Sequence, residues 1–438
     1  MTSTTRRTWH GLRAHQLGAR AGLAVIMLAL ALAPLAPGVL AQPSPSYETP
    51  PVLKASDLAP AGLIEGPGYR VADEVPTAWM LGTFTLKADV GTLEPHGLDL
   101  LKIRVGELAA IRQLNETSKT GEFTKAAGRA AARPVVATWN MITNPVDTIT
   151  GLPAGVGRFF DRVKLGGQAV ASAASAPDKG AMEKTGDVSG RIGTATINAL
   201  GYEEERRHLA KKIQADPYTT NPILSEKLTD VAWVMFSARE AVNLTTAVLM
   251  PYSMVMSTVS LTNNLVWDMK PADIIALNQK KATEMGASED QVQALTTNKN
   301  YSITYLTNFV GALERLGPIA GRAEVIALAG TVANEDQARF LMSSAQMLAH
   351  HHEWVTKLTS VAARGTVVGK TATGGLVVAA PVDYIAWTEN VATFARRPDF
   401  AASSLDIYLT GRMSPRARQE FERIGWNVHE GSTAAAGN

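Results

Sequence analysis

A run of three histidines and a glutamate carries the residue types of this sequence that are best suited to metal or acid–base chemistry. His350, His351 and His352 are followed directly by Glu353. Imidazole and carboxylate groups bind zinc and exchange protons near neutral pH. Adjacent residues of a helix diverge by about 100°, so the triplet alone does not converge on one ion. The zinc-protease pattern also needs a histidine where Thr356 stands.

The surrounding residues allow two interpretations of this run. The apolar spacing of the same predicted helix places His351 and His352 on or beside its buried stripe, which is typical of histidines packed in a core. Alternatively, three residues of the run bind a metal ion, namely His350, His352 and Glu353. In that case His208 or His429 is brought near by folding, and the protein is a periplasmic metal-dependent hydrolase. Whether the chain is an enzyme stays open.

A second candidate motif, RGTVVGKTATGG at residues 364–375, invites comparison with a phosphate-binding loop. Gly365 and Gly369 enclose three residues where that loop requires four. The pattern instead predicts a β-hairpin, and we expect neither nucleotide binding nor a cofactor. The Gly-x-Ser-x-Gly signature of many serine hydrolases is absent from the sequence.

The most unusual segment lies between residues 133 and 165. Its apolar residues keep a helical spacing of three and four through two internal prolines: Val135, Trp139, Ile142, Val146, Ile149, Leu152, Val156, Phe159 and Val163. Because proline suits the first turn of a helix, the pattern predicts short helices joined by bends. Ten Lys and Arg stand against five Asp and Glu over residues 100–170, so this region is locally basic.

Two interpretations of this basic amphipathic segment are possible. Its stripe packs internally, as most amphipathic helices do, or it lies on an anionic lipid surface or a protein partner. In the second interpretation, apolar side chains enter the surface while cations meet anionic groups. The residues assigned to that role are Arg133, Trp139, Ile142, Val146, Arg158, Phe159, Phe160, Arg162 and Lys164.

The first 41 residues predict the location of the protein. Four arginines precede an apolar run over residues 21–35, and the segment ends with Val39-Leu40-Ala41. This order is typical of a secretory signal peptide cleaved after Ala41. The run is shorter than the roughly 20 residues of a membrane-spanning helix. We therefore expect an exported protein in the periplasm or associated with the outer envelope.

Composition narrows the possible partners further. The chain has 42 Lys and Arg against 40 Asp and Glu; loss of the four arginines of the predicted signal peptide leaves 38 against 40, or −2. A balance of this kind lacks the basic excess of nucleic-acid-binding proteins, so we expect no nucleic-acid partner. The chain has no cysteine, which excludes thiol catalysis, thiolate metal sites and disulfides.

Periodicity predicts an α+β chain that is predominantly α-helical. Period two within residues 69–89 predicts two short strands, and the spacing over residues 98–114 predicts a helix. A helical body and a small C-terminal β-hairpin with one further strand follow. The expected organisation is a signal peptide at 1–41, a Pro-rich linker at 42–53, a small β plus amphipathic helical region at 54–165, a flexible connection at 166–193 and a helical domain with a C-terminal α+β element at 194–438.

Several helix boundaries can be assigned from capping residues. Asn221-Pro222 combines an N-cap with a proline at the first helical position, and Ser414-Pro415 repeats that signal near the C-terminus. Further helices are predicted at residues 271–285, 288–296, 301–316 and 334–360. The turn formed by Asp216, Pro217 and Tyr218 is a polar connection that is also compatible with a ligand-binding loop.

Residues 241–267 contain no charged side chain, and Met250, Met254 and Met256 cluster around Pro251. The polar residues among them make burial in a helical core more favourable than membrane insertion. Since methionine adapts to irregular surfaces, the stretch also suits the wall of an apolar pocket. A third possible function is therefore that of an apolar-ligand-binding or assembly protein.

The chain resembles an uncharacterised family of exported proteobacterial envelope proteins. The resemblance rests on residues 69–84, 97–104, Ser118-Lys119-Thr120, Asn144-Pro145-Val146, 155–160, Asp216-Pro217-Tyr218 and 409–430. It implies no activity, cofactor or catalytic residue. We therefore expect a non-enzymatic cell-envelope protein that associates with a membrane surface or a protein partner through its basic amphipathic segment.

Overall fold

A computed structural model describes residues 47–129, 201–238 and 265–432 of the 438-residue chain. All of these belong to one unit that begins at Tyr47. The predicted signal peptide, the basic amphipathic segment at 133–165, the connection at 166–193 and the Met-rich stretch lie outside the described residues. Residues 42–46 of the predicted Pro-rich linker lie outside them too.

Short strands make up the N-terminal part. The strands are β1 (Val52–Lys54), β2 (Glu65–Gly66), β3 (Tyr69–Val71), β4 (Glu74–Ala78), β5 (Leu81–Gly82), β6 (Leu86–Ala88) and β7 (Gly91–Leu93). Two one-turn helices, α1 (Ala55–Leu58) and α2 (Ala61–Ile64), follow β1. Strands β1, β4 and β5 form one antiparallel sheet, and β2, β3, β6 and β7 form another. The sequence predicted only two strands here, because segments this short barely display a period of two.

Four helices form the next layer. They are α3 (Leu98–Ser118), α4 (Gly121–Arg129), α5 (201–212) and α6 (Pro222–Ala238). The predicted stripe of α3 is confirmed, since Leu101, Leu108, Ile111 and Leu114 are almost completely buried. Residues of all four helices share one apolar cluster, so α3 and α4 pack directly against α5 and α6.

A second group of helices continues the body. It contains α7 (Pro271–Glu284), α8 (Glu289–Thr296), α9 (Ile303–Arg315), α10 (Arg322–Gly330) and α11 (Glu335–Trp354). Helices α7, α8 and α9 confirm the helices predicted at residues 271–285, 288–296 and 301–316. The start of α11 confirms the start of the one predicted at 334–360. The predicted helix at 334–360 was wrong at its C-terminal end, because residues from Leu358 onward pair with a neighbouring strand. Hydrogen bonding across a sheet there outweighs helical continuation.

Helix α8 begins at the N-cap that its sequence predicted. Ser288 Oγ accepts a hydrogen bond from Gln291 N–H at 3.3 Å, and Gln291 Oε1 accepts one from Ser288 N–H at 2.9 Å. Ser288→Ala removes one acceptor for an orphan N–H, so we expect a loss of about 1 kcal/mol in the free energy of unfolding. Urea titration measures it. Gln293→Ala, at an exposed position inside the same helix, is the control and should stay within about 0.5 kcal/mol; equal losses would contradict the cap.

The C-terminal part is built on a five-stranded sheet. Its strands are β8 (Leu358–Ala363), β9 (Val367–Thr371), β10 (Leu376–Ala380), β12 (Leu405–Leu409) and β14 (Trp426–His429), in the order β14-β12-β10-β9-β8. Strands β10, β12 and β14 run parallel. Helix α12 (Glu389–Ala395) lies between β10 and β12 in the chain, and α13 (Pro415–Arg423) lies between β12 and β14. Strands β11 (Tyr384–Ile385) and β13 (Arg412–Met413) form a separate pair. The hairpin predicted at 364–375 is confirmed, since β9 lies within this range and pairs antiparallel with β10 through a turn at residues 372–375.

Helices cover both faces of this sheet. Alternate residues of β10 point to opposite sides: Leu376 and Val378 pack with α12 and α13, whereas Val377 and Ala379 pack with the α9–α11 group. All five β10 residues are therefore buried, as expected for a strand in a covered sheet. The α+β class is confirmed. The description as predominantly α-helical is too strong, because the C-terminal β element is a complete five-stranded sheet rather than a small hairpin.

Asp383, just beyond β10, ties the N-terminal part to this sheet. Its carboxylate accepts hydrogen bonds from Gly82 N–H at 2.8 Å and from Leu98 N–H at 3.0 Å. Leu98 is the first residue of α3, where the helix dipole favours negative charge. Burial nevertheless raises the pKa of Asp383 to about 6, against the effect of both hydrogen bonds.

A similar long-range tie starts from Glu48, within the predicted Pro-rich linker. Its Oε2 accepts hydrogen bonds from Trp387 N–H at 2.5 Å and from the Ser414 hydroxyl at 2.6 Å. Ser414 is also the N-cap of α13, where its Oγ accepts from Ala417 N–H at 2.9 Å. The start of the described chain is therefore joined to the elements that follow β10.

Within residues 47–129, 201–238 and 265–432, no helix is long and apolar enough to cross a membrane.

Candidate functional site

The connection between α5 and α6, at residues 213–221, is largely buried against the helical body, with Gln214 exposed. Its last residue, Asn221, is fully buried and caps α6, where its Oδ1 accepts hydrogen bonds from Ile223 N–H at 3.0 Å and Leu224 N–H at 3.4 Å. The predicted Asn221-Pro222 helix start is therefore confirmed. The Asn221 side-chain amide faces the opposite way, toward α3.

Glu107 of α3 receives that amide and is the central acceptor of the connection. Its Oε2 accepts from Asn221 Nδ2 at 2.8 Å and from Arg104 Nη1 at 3.0 Å, and its Oε1 accepts from the Thr219 hydroxyl. Glu107 is 1% exposed and Arg104 is 5% exposed. Burial alone would lower the pKa of Arg104, but the adjacent Glu107 outweighs it and the pKa is raised. Both groups therefore form a buried, hydrogen-bonded ion pair.

The network extends from Arg104 toward α9 and α11. Arg104 Nη2 donates to Thr220 Oγ1 at 2.6 Å, and the Thr220 hydroxyl donates to Glu335 Oε1 at 2.8 Å. The Tyr305 hydroxyl of α9 lies 3.4 Å from the same Glu335 oxygen. Thr220 of the connection thus links Arg104 of α3 to Glu335 in the first turn of α11.

Asp216 occupies the start of the same connection. Its Oδ1 accepts from Tyr218 N–H at 2.8 Å and from the Thr304 hydroxyl at 2.7 Å. Burial raises the pKa of Asp216 to about 6, although both hydrogen bonds oppose the shift. Its carboxyl group holds a turn and a neighbouring helix together, which is a structural role.

The Glu107 network is a positioning device rather than a reactive site. Glu107 receives donors from three residues, and its arginine partner is itself hydrogen-bonded to a threonine. Buried charge that is fully paired in this way fixes the arrangement of helices. A general base would instead keep a free lone pair facing a substrate.

A second polar cluster, which we name the Arg207 cluster, consists of Glu203, Arg206, Arg207 and Tyr218. Arg206 donates to the Ser225 hydroxyl at 3.2 Å, and Arg207 Nη1 lies 3.9 Å from Glu203 Oε2. Burial raises the pKa of Glu203 to about 7, even though both arginines lower it. Burial also raises the pKa of Tyr218, on which Glu203 and Arg207 act in opposite directions, so this phenol lies within their electrostatic reach.

Two of the three predicted metal ligands, Glu353 and His352, have other partners in this structure. Glu353 makes a two-pronged ion pair with Arg315, with distances of 3.0 Å to Nε and 2.5 Å to Nη2. His352 Nδ1 accepts a hydrogen bond from Leu358 N–H at 3.0 Å. No three His, Asp or Glu side chains in the described part of the chain lie together in a way that would hold a metal ion. These contacts give no support to the metal hypothesis for His350, His352 and Glu353, which stays a prediction.

His351, by contrast, is buried against the C-terminal sheet. Its ring meets Tyr408 edge-on, with centroids 4.9 Å apart, and Tyr408 stacks on His429 at 4.2 Å. His429 Nε2 lies 3.1 Å from Asp406 Oδ1. Burial lowers the pKa of His351, against the opposing charge of Asp406. The predicted burial of His351 is confirmed, although neither of its ring nitrogens makes a hydrogen bond within the described residues, and Tyr408 separates it from His429.

The membrane- or partner-binding residues predicted between Arg133 and Lys164 all lie outside the described residues. Sequence reasoning missed the two buried clusters, although one signal was available. Arg104 and Glu107 stand three residues apart on the apolar face of α3, between Leu101 and Leu108. An oppositely charged pair at that spacing on a buried face indicates an internal ion pair.

No protein-family model, no curated protein and no solved structure matches this chain. The resemblance to exported envelope proteins therefore stays a prediction.

Proposed function

We propose that this chain is a non-enzymatic cell-envelope protein that associates with a membrane surface or a protein partner. The observation that carries the proposal is the sequence of residues 133–165, where an apolar stripe at helical spacing coincides with a local excess of Lys and Arg. The predicted signal peptide places this activity in the periplasm or at the outer envelope.

The attachment of this segment to the body supports the proposal. Phe123 and Ala126 of α4 precede residues 130–200, and Tyr202 of α5 follows them; all three belong to one buried cluster. The described residues on both sides of this segment therefore belong to the same apolar cluster. A segment attached in this way can meet an external surface while both of its flanks stay anchored.

The end of α6, which precedes the uncharged stretch of residues 241–267 in the sequence, lies against the start of α5. Phe236, near the end of α6, packs so tightly over Gly201 that a Cβ on this glycine would lie 2.7 Å from the phenyl ring. Two contacts between aromatic rings lie beside it. The ring centroid of Trp233 is 5.7 Å from that of Tyr202 and 5.8 Å from that of Phe236. Gly201 and Phe236 thus lie at the same end of the α5–α6 pair.

Vesicle flotation tests the proposal. We expect the mature protein to float with vesicles rich in phosphatidylglycerol, and a variant lacking residues 133–165 to stay in the dense fraction. A full-length variant with Arg158→Gln, Arg162→Gln and Lys164→Gln should bind these vesicles about 100-fold more weakly, because each basic residue near an anionic surface contributes about 1 kcal/mol.

Vesicles of phosphatidylcholine alone are the lipid control, and circular dichroism confirms that each variant folds. Equal flotation of the intact and shortened proteins would overturn the membrane interpretation. If neither protein floats, affinity capture from an envelope extract compares the same two proteins. Equal recovery of every captured protein would then overturn the partner interpretation.

A further inference from the structure

The Arg207 cluster contains buried polar atoms that have no hydrogen-bond partner. Glu203 and Arg207 are each 5% exposed. Nε and Nη1 of Arg207, Oε1 of Glu203 and the phenolic oxygen of Tyr218 make no hydrogen bond to any group of the described chain. Arg207 Nη1 lies 3.9 Å from Glu203 Oε2, beyond hydrogen-bond distance.

An unpaired set of this kind is costly in a folded protein. Each buried polar group without a partner costs about 1–3 kcal/mol, and a charged group costs more. Most buried polar groups in proteins are paired for this reason, and the exceptions need an explanation. In the Glu107 network, by contrast, the buried carboxylate accepts hydrogen bonds from three side chains.

The free atoms of the cluster define the chemistry of a missing partner. Arg207 and Tyr218 offer donors, while Glu203 offers a single acceptor atom. Asp216 Oδ1 accepts hydrogen bonds from Tyr218 N–H and the Thr304 hydroxyl, so it is not one of the free atoms of the cluster. Because the pKa of Glu203 is about 7, part of the population has a neutral carboxyl at neutral pH, and the Arg207 guanidinium then lacks the negative charge that lies 3.9 Å away.

We propose that the Arg207 cluster binds an oxyanion, a carboxylate or a phosphate, carried by a small free molecule or by a lipid headgroup. Oxygen atoms of this group accept hydrogen bonds from Arg207 Nε and Nη1 and from the Tyr218 hydroxyl. A hydroxyl or ammonium group of the same ligand donates to Glu203 Oε1. This inference goes beyond the proposed surface association and does not depend on residues 133–165.

Ligand-dependent thermal unfolding of the mature protein tests the site. The probes are inorganic phosphate, acetate and phosphatidylglycerol vesicles, and titration calorimetry gives each dissociation constant. We expect one or more probes to raise the unfolding midpoint of the wild type. Arg207→Met should weaken binding by about 10- to 100-fold, the loss expected for hydrogen bonds to a charged group. Arg423→Met, at an arginine whose side chain is 59% exposed, should bind like the wild type.

Two features of the variants keep the test decisive. Arg207→Met also removes the cation that lies 3.9 Å from Glu203 Oε2, so we expect the ligand-free variant to be less stable than the wild type, and circular dichroism checks that it folds before binding is measured. Tyr218→Phe removes only a hydroxyl that has no partner in the described chain, so it should fold normally and bind about 3- to 10-fold more weakly.

Each outcome has a defined meaning. Binding of phosphate or acetate assigns the site to a free anion, and binding of vesicles alone assigns it to a lipid headgroup. The vesicle arm is repeated with the variant lacking residues 133–165, so that surface association and headgroup binding are separated. Absence of binding to all three probes, or equal binding by the wild type and Arg207→Met, would overturn the proposal.

Discussion

Glu107→Ala is expected to lower the free energy of unfolding by about 3–5 kcal/mol, the cost of breaking a buried ion pair by removing one partner. The loss arises because Arg104 stays buried with its charge uncompensated. The Asn221 amide and the Thr219 hydroxyl lose their acceptor at the same time. Urea unfolding followed by far-ultraviolet circular dichroism measures the change.

Glu116→Ala is the matched control for this experiment. Glu116 lies on the same helix and pairs with Lys119, but both side chains are mostly exposed. Exposed ion pairs contribute about 0–1 kcal/mol, so the control should change little. A loss in Glu107→Ala no larger than that in Glu116→Ala would contradict the central position of Glu107.

The second large effect is expected from Glu203→Gln, which should stabilise the ligand-free protein by up to about 3 kcal/mol at pH 8. Burial raises the pKa of Glu203 from 4.5 in the unfolded chain to about 7 in the folded one. The folded state therefore binds the proton more tightly than the unfolded state. Glutamine resembles the protonated form and avoids burying the negative charge.

The difference in stability between the wild type and Glu203→Gln is expected to depend on pH. Between pH 4.5 and about 7 the folded protein holds a proton on Glu203 that the unfolded chain has released. The wild type consequently loses stability as the pH rises through this window, and the advantage of Glu203→Gln grows. At pH 4.5 and below, the two proteins should have similar stability. Above the folded-state pKa the difference should stay constant.

Glu204→Gln provides the control, because it makes the same chemical change one residue away at an exposed position. Comparing variants at each pH cancels the contributions of other titrating groups, including Asp216, Asp383 and His351. The prediction fails if the difference between wild type and Glu203→Gln does not change from pH 4.5 to about pH 8.

Local signals predicted much of the helical body. The Ser288 cap, the Asn221-Pro222 start and the Ser414-Pro415 start all form as their residue types indicate, since capping depends on atoms within a few residues. The apolar stripe of α3 was equally informative, because helical spacing selects one buried face.

The contacts that define the two clusters could not be predicted in the same way. Glu107 meets Thr219 and Asn221 from more than 100 residues away, and Arg104 reaches Thr220 over a similar separation. The end of α11 depends in the same way on strand pairing with β9. These long-range contacts depend on how the whole chain packs. Local helix and strand propensities carry no information about that packing.

The tie made by Asp383 also has a consequence for the order of folding. Asp383 and Gly82 are 301 residues apart in the chain, and Glu48 and Ser414 are 366 apart. Contacts of such high sequence separation require closure of very long loops, which slows folding. The N-terminal strands therefore cannot complete these hydrogen bonds until the residues after β10 have been synthesised. We propose that this chain is exported. Late formation of the Asp383 and Glu48 hydrogen bonds would then favour an incompletely folded polypeptide before it crosses the membrane.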